Sequence, residues 1–312
     1  MLKAVNIRKG MGGKMKVEGF IDEYLKKFQN GKDERNYEGS SVLVSVKQMY
    51  DALGDEKYFS FISEYLKSFV VEDGTIENKY ADSFDASSVN CSKLLFFMYD
   101  KTGEEKYHNA IEAVMKLLRE NPVMLSPDKI SMEELYMVQP FYMEYETRYD
   151  KKAKYSDIIK QFERADNLLG AENKNIEQTC LYLMSLIDAL SAMSFEIYEK
   201  YRKLQDMFKL SLAGLLKCYD KENGTYCGEN AGDAGNAMIA DAMVADAMIA
   251  YAIIKACRMG IILKEKYAAD GMEIVESLMK NKLTDIFNDT RAVGPFLSAY
   301  GQYLQLKEEM EA

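Results

Sequence analysis

The chain has 312 residues with a net charge of −10, and 48% of it is hydrophobic and 29% charged, so it reads as globular, long enough for one large domain or two ordinary ones. It contains no Trp and a single His, His108, which excludes sites built on two or more imidazoles, and it shows no Lys/Arg cluster of the kind a nucleic-acid partner requires. Five widely spaced cysteines (Cys91, Cys180, Cys218, Cys227, Cys257) include no CxxC pair, so they read as reduced core thiols rather than a zinc site or a disulfide framework.

The first residues, "MLKAVNIRKGMGGKMKVEGF", lack the apolar run of a secretory signal, and the apolar stretch "AMIAYAII" is too short to span a bilayer. A soluble, cytoplasmic protein with no membrane partner is the expectation. Apolar residues at i, i+3, i+4 and i+7 then predict helices over 18–29, 40–53, 56–70, 87–101, 104–120 and 132–149. The same spacing predicts helices over 152–166, 175–196, 199–218, 236–259, 264–280 and 294–309. Only four prolines (Pro122, Pro127, Pro140, Pro295) interrupt the chain. Alternating strand runs are missing, and "DGTI" and "NGTYC" read as turns with at most a brief ribbon.

A phrase ending in Lys-Tyr recurs at Tyr58, Tyr107, Tyr155, Tyr201 and Tyr267, with intervals of 49, 48, 46 and 66 residues. Each copy lies between two helical runs, so it marks a tight helix–helix connection in a repeated hairpin. About twelve helices in six hairpins predict an all-α protein, an (α/α)6 barrel, with an open solenoid as the alternative. The count stops at six units and neither end reads as a polar cap. With no Gly/Ser/Pro linker, one closed domain over residues 1–312 is expected. The first helix of each hairpin would line the centre, and these helices are rich in small residues, Met and Tyr. Met at that spacing is core, not a metal box.

Few residues stand out for chemistry. Glu133 and Glu134 follow Ser131 at the start of the helix over 132–149, where acids also serve as ordinary first-turn residues. Asp241 and Asp246 interrupt an otherwise apolar helix, but five residues turn a helix by about 140°, so the two cannot face one point. Arg291 sits at a loop–helix junction, suited either to a bidentate grip on a substrate carboxylate or to plain solvent. His108, on an outer helix, reads as structural.

The phrases "NYEGSSVL" (36–43), "ALGDEKY" (52–58), "VEDGTI" (71–76), "KTGEEKYHNAI" (101–111), "EELYMVQPFYMEY" (133–145), "AMIAYAIIKACRMG" (247–260) and "NDTRAVGPFLSAY" (288–300) resemble, in order and spacing, the unsaturated glucuronyl and rhamnogalacturonyl hydrolases of glycoside hydrolase families 88 and 105. The resemblance implies an (α/α)6 barrel that hydrates the C4=C5 double bond of an unsaturated uronic acid at the non-reducing end of an oligosaccharide. It implies no metal and no cofactor. The family's catalytic aspartate lies in an Asp-x-Leu-Tyr-Met phrase, whose first position here is Glu133. The second family acid falls near Asp85, and Tyr136, Gln139, Arg291 and Asp246 are the substrate-binding positions the resemblance points to. Two carboxyls, Glu133 and Asp85, are therefore expected to face one cavity with Arg291 at its rim. The family's Trp-x-Arg-Gly-Asn-Gly-Trp phrase is replaced by "NKNIEQTCLYLMSL", and its Trp platforms are gone. A barrel that has lost catalysis and serves as a sugar-binding or protein-interaction scaffold is the alternative.

Overall fold

The computed structural model describes residues 17–29, 36–77, 84–121, 131–171, 176–217, 219–220, 225–226 and 236–312. Among these, twelve helices of eleven residues or more follow the expected order. They are α1 (Val17–Gln29), α2 (Tyr37–Leu53), α3 (Glu56–Leu66), α4 (Ala86–Thr102), α5 (Glu105–Glu120) and α6 (Met132–Arg148). Then come α7 (Tyr155–Ala171), α8 (Ile176–Ala192), α9 (Tyr198–Leu216), α10 (Asn236–Arg258), α11 (Lys264–Asn281), a four-residue α12 (Leu283–Ile286) and α13 (Thr290–Glu311). Among the described residues the turn segments carry a bridge, Val70 to Ile76, and a two-residue antiparallel ribbon, Tyr219–Asp220 with Thr225–Tyr226. Pro122, Pro127, Cys218 and Cys227 lie outside the described residues.

Helices α2, α4, α6, α8, α10 and α13 form the inner ring, each packed on the next, and α13 packs back on α2 to close it. The outer helices bury a single stripe, as in α5 with Tyr107, Ala110, Ile111, Val114, Met115 and Leu118. The inner ones are buried nearly all round, as in α8 from Cys180 through Ile187. Helix α1 supplies an outer helix from the other end of the chain: Phe28 meets Phe61 of α3 at 6.1 Å, and Glu18 accepts from the Tyr300 hydroxyl of α13 at 3.1 Å.

Local signals explain the helix ends. Asn36, Asp55, Asp85, Ser131 and Asp289 cap helix starts with side-chain oxygens, and Ser131 with Glu134 completes a capping box. Gly54 and Gly103 close α2 and α4 in the left-handed region at φ 62° and 67°. All five Lys-Tyr phrases open outer helices, with Tyr58, Tyr107 and Tyr155 fully buried. Helix α7 starts three residues later than the pattern predicts, because Lys151 and Lys152 adopt φ of 52° and 63°. The Glu146 carboxylate then accepts the Lys154 N–H at 2.8 Å.

The seam that closes the ring depends on two glycines. A Cβ on Gly294 would lie 2.8 Å from the Ser41 backbone carbon, and one on Gly301 would lie 2.8 Å from the Gln48 carbonyl oxygen. The residues are seven apart, two turns of one face, so α13 lies directly on the α2 backbone. Gln302 then donates to Gln48 at 2.6 Å across the seam.

Candidate active site at the N-terminal mouth of the inner helices

The inner helices run parallel, so their first turns gather at one mouth. The second residue of each is then an equivalent position: Glu38 in α2, Ser87 in α4, Glu133 in α6, Glu177 in α8 and Arg291 in α13. Carboxylates suit this place because helix N-termini carry partial positive charge. Glu133 is exposed and makes no salt bridge among the described residues. Partial burial, the Glu38 charge and the Glu134 charge hold its carboxyl above the ordinary glutamate value. Burial raises Glu177 as well; Arg291 opposes the shift, while Asp241, Glu133 and Asp289 add to it.

The charges of Glu38, Glu133 and Glu177 also act on a tyrosine. Tyr37, the first residue of α2, is only 8% exposed, and its hydroxyl has no hydrogen-bond partner among the described residues. Burial, Tyr136, Glu177, Glu133 and Glu38 all push its phenol upward, so it stays protonated. Its ring meets the edge of Tyr136 at 6.1 Å. Ser40 contacts the Met137 sulfur and accepts from the Asn90 amide at 2.9 Å, which floors the mouth.

Tyr136 is held from below. Pro140 lies in the interior of α6 and has no N–H, so the Tyr136 carbonyl four residues earlier loses its helical donor. Lys93 of α4 replaces it, donating to the Tyr136 oxygen at 2.8 Å with its ammonium 4.5 Å from the Tyr136 ring centre. Burial pulls Lys93 down to about 8, although Asp188 opposes the shift.

The remaining candidates divide. Arg291 sits in the first turn of α13, with its Nη1 on Asp241 at 2.8 Å, its Nη2 on Asp289 at 3.0 Å and its Nε on Asp289 at 3.3 Å. Asp241 is exposed and Asp246 is buried, so the two face different surroundings. Gln139 is fully buried about two turns inside α6, and neither amide atom finds a partner among the described residues. Asp85 is the N-cap of α4: one oxygen accepts from the Ser88 N–H at 2.9 Å, the Ser87 hydroxyl at 2.7 Å and the Ser88 hydroxyl at 3.0 Å. The carboxylates that raise Glu133 are Glu38 and Glu134. His108 sits half-buried between Tyr99 and Tyr149, a structural place.

Sequence reasoning missed Glu38, Glu177, Tyr37 and Asp289. A signal was present in "NYE", "SME" and "NIE", where Asn or Ser, an apolar residue and Glu open three inner helices in the same register. Among the described residues no cluster of three or more His, Cys, Asp or Glu is arranged to hold a metal. No helix among them is long and apolar enough to cross a membrane.

Comparison with known proteins follows the same lines. No curated protein matches the chain in sequence. Among solved structures, a glycoside hydrolase from family 105 of C. acetobutylicum superposes with a TM-score of 0.73 at 20% identity, covering 93% of this chain and 99% of that one. A glycosyl hydrolase family 88 structure from Bacteroides vulgatus gives 0.70 at 11% identity, covering 93% and 98%. A structure described as a polysaccharide lyase gives 0.74 at 11% identity, covering 94% and 96%. These likenesses carry the barrel fold. Residues 16–176, just over half of the sequence, match the profile of Glycosyl Hydrolase Family 88, and the chain belongs to that family.

Proposed function

We propose that this protein hydrates the C4=C5 bond of an unsaturated uronic acid at the non-reducing end of an oligosaccharide, with Glu133 as the acid–base group. The observation that supports this most is Glu133 itself. It is an exposed carboxyl with no salt bridge among the described residues, raised by its surroundings and carried on the first turn of α6 in a family 88 chain. A raised carboxyl holds its proton more firmly, which suits a group that must give a proton as well as take one.

The double bond is an enol ether. Protonation at C4 leaves a cation at C5 that the ring oxygen stabilises, and water adds at C5 as it gives up a proton. The resulting hemiketal opens and releases the neighbouring sugar. Arg291 supplies the cation for the substrate carboxylate. Asp289 holds its Nε and Nη2, while the exposed Asp241 on Nη1 is the partner a substrate can displace.

The test follows loss of ultraviolet absorbance of an unsaturated uronyl disaccharide. Wild type consumes it, and Glu133→Gln loses on the order of 100-fold or more in kcat while remaining folded. Full activity in that variant would remove Glu133 from the reaction. A second reading, a barrel that binds saccharide without turnover, draws on the floor of packed Tyr37, Tyr136 and Met137 and on the double carboxylate clamp of Arg291. Saturable binding of the disaccharide with unchanged absorbance would select it.

A further inference from the structure

We propose that Glu146 is a proton-dependent latch on the turn between α6 and α7: as a neutral acid it holds the turn closed, and as a carboxylate it lets the turn open. The latch stands apart from the hydration chemistry and concerns residues 149–154. Lys151 and Lys152 adopt left-handed φ of 52° and 63°, a region that residues with side chains avoid, so the turn persists only where its surroundings hold it. Glu146, in the last turn of α6, holds it at two points. Its backbone carbonyl accepts the Lys152 N–H at 2.8 Å, and its carboxyl Oε2 accepts the Lys154 N–H at 2.8 Å.

The surroundings suit a neutral acid. Glu146 is 0% exposed, and its Oε1 has no hydrogen-bond partner among the described residues. The cations of the region are engaged elsewhere: Arg119 on Asp150 at 2.8 Å, Arg148 on Asp100 at 2.7 Å, Lys152 on Glu196 at 2.7 Å and Lys154 on Asp157 at 3.5 Å. An ionised Glu146 would be a buried charge without a counter-ion, which burial strongly disfavours. The neutral acid avoids that penalty, keeps Oε2 as the acceptor for Lys154, and makes Oε1 a donor. Burial is the largest influence raising Glu146, and the charge of Asp150 adds to it, while the Lys154 N–H and Arg119 of α5 oppose it. Tyr142, one turn earlier on α6, responds to Glu146 and also to Arg119, Asp157 of α7 and Asp150.

A group raised in the folded protein contributes fully below the ordinary glutamate value, and that contribution is lost as pH rises through the folded one. The loss falls first on the turn, where the only bonds at stake are local. It also reaches the next hairpin. The Tyr155 hydroxyl at the start of α7 lies 2.6 Å from the Thr147 hydroxyl and accepts the Ser194 N–H at 2.9 Å, and Lys152 pairs with Glu196 beyond the end of α8.

Amide hydrogen exchange across about pH 5–8, read by NMR on the full-length protein and corrected for intrinsic exchange, tests the latch. Wild type is compared with Glu146→Gln, which keeps the shape and the acceptor for Lys154, places a donor at the other position and cannot ionise. In wild type, protection of the Lys152, Lys154 and Ser194 amides is expected to fall about tenfold per pH unit between the ordinary glutamate value and the folded midpoint, then level off. Amides of α2 keep theirs, and Glu146→Gln shows no such fall. Protection that stays constant with pH in wild type would overturn the latch. An equal fall in Glu146→Gln would assign the effect to another group and overturn it as well. Should Glu146→Gln not fold, wild type decides alone: the carbon-13 midpoint of the Glu146 carboxyl must lie above the ordinary glutamate value and coincide with the levelling of protection, and a midpoint at or below that value would refute the proposal.

Discussion

The contact between Lys93 and the Tyr136 carbonyl makes a quantitative prediction, because its cause is a single residue. Pro140 removes the N–H that would have bonded that carbonyl, and Lys93 supplies the donor at 2.8 Å instead. Replacing Lys93 with Met in the natural background leaves a buried carbonyl unsatisfied, which costs about 1–3 kcal/mol. The same change also removes a buried ammonium, a relief that offsets part of the cost. A double-mutant cycle isolates the contact. With Pro140→Ala present, the new N–H bonds the Tyr136 carbonyl within the helix and Lys93 becomes redundant. The expected coupling is about 1.5–3 kcal/mol, the range for a hydrogen bond from a charged donor. Urea unfolding followed by far-ultraviolet circular dichroism measures it, provided the slope stays constant across the four proteins. A coupling below about 0.5 kcal/mol, the limit of ordinary additivity, would refute the account. The pH dependence gives a second check. Lys93 is lowered from 10.5 to about 8 in the folded protein, so its contribution to stability is fully present above pH 10.5 and lost as pH falls through about 8. The stability difference between wild type and Lys93→Met should shift in favour of wild type across that window, by at most about 3 kcal/mol.

The seam and the mouth supply the other expectations. Gly294→Ala and Gly301→Ala should each destabilise by about 1–3 kcal/mol by pushing α13 off α2, whereas Gly214→Ala on α9, with nothing within 4 Å of the added carbon, should stabilise by about 0.4–1 kcal/mol; thermal unfolding separates the two cases. Glu133 and Glu177 are both raised in the folded state, so their contribution is full below the unfolded glutamate value and is lost as pH rises through the folded one. Glu133→Gln and Glu177→Gln should therefore unfold at higher temperature than wild type at neutral pH and lose that advantage in acid. Variants less stable than wild type at neutral pH would contradict the electrostatics of the mouth.

Much of the fold was legible from periodicity. Capping residues and helical spacing placed twelve helices within a few residues of where they lie, since those signals act over neighbouring turns. The Lys-Tyr phrase located five hairpin turns for the same reason. The start of α7 was missed because two left-handed lysines are not residues that announce such a backbone.

The site divides along the same line. The sequence by itself determined the class, the inner and outer faces, and Glu133 as a helix-start acid in a family phrase. Only the tertiary structure decided which charges act on one another at the helix starts. Asp85 puts one oxygen into the cap of α4, and the groups acting on Glu177 come from α6, α10 and α13. Lys93 and Tyr136 are 43 residues apart, and nothing local connects a lysine on one helix to a proline on another. Hydrophobic periodicity specifies what a helix buries, whereas the strength of a charge or a lone donor depends on distances set when the ring closes.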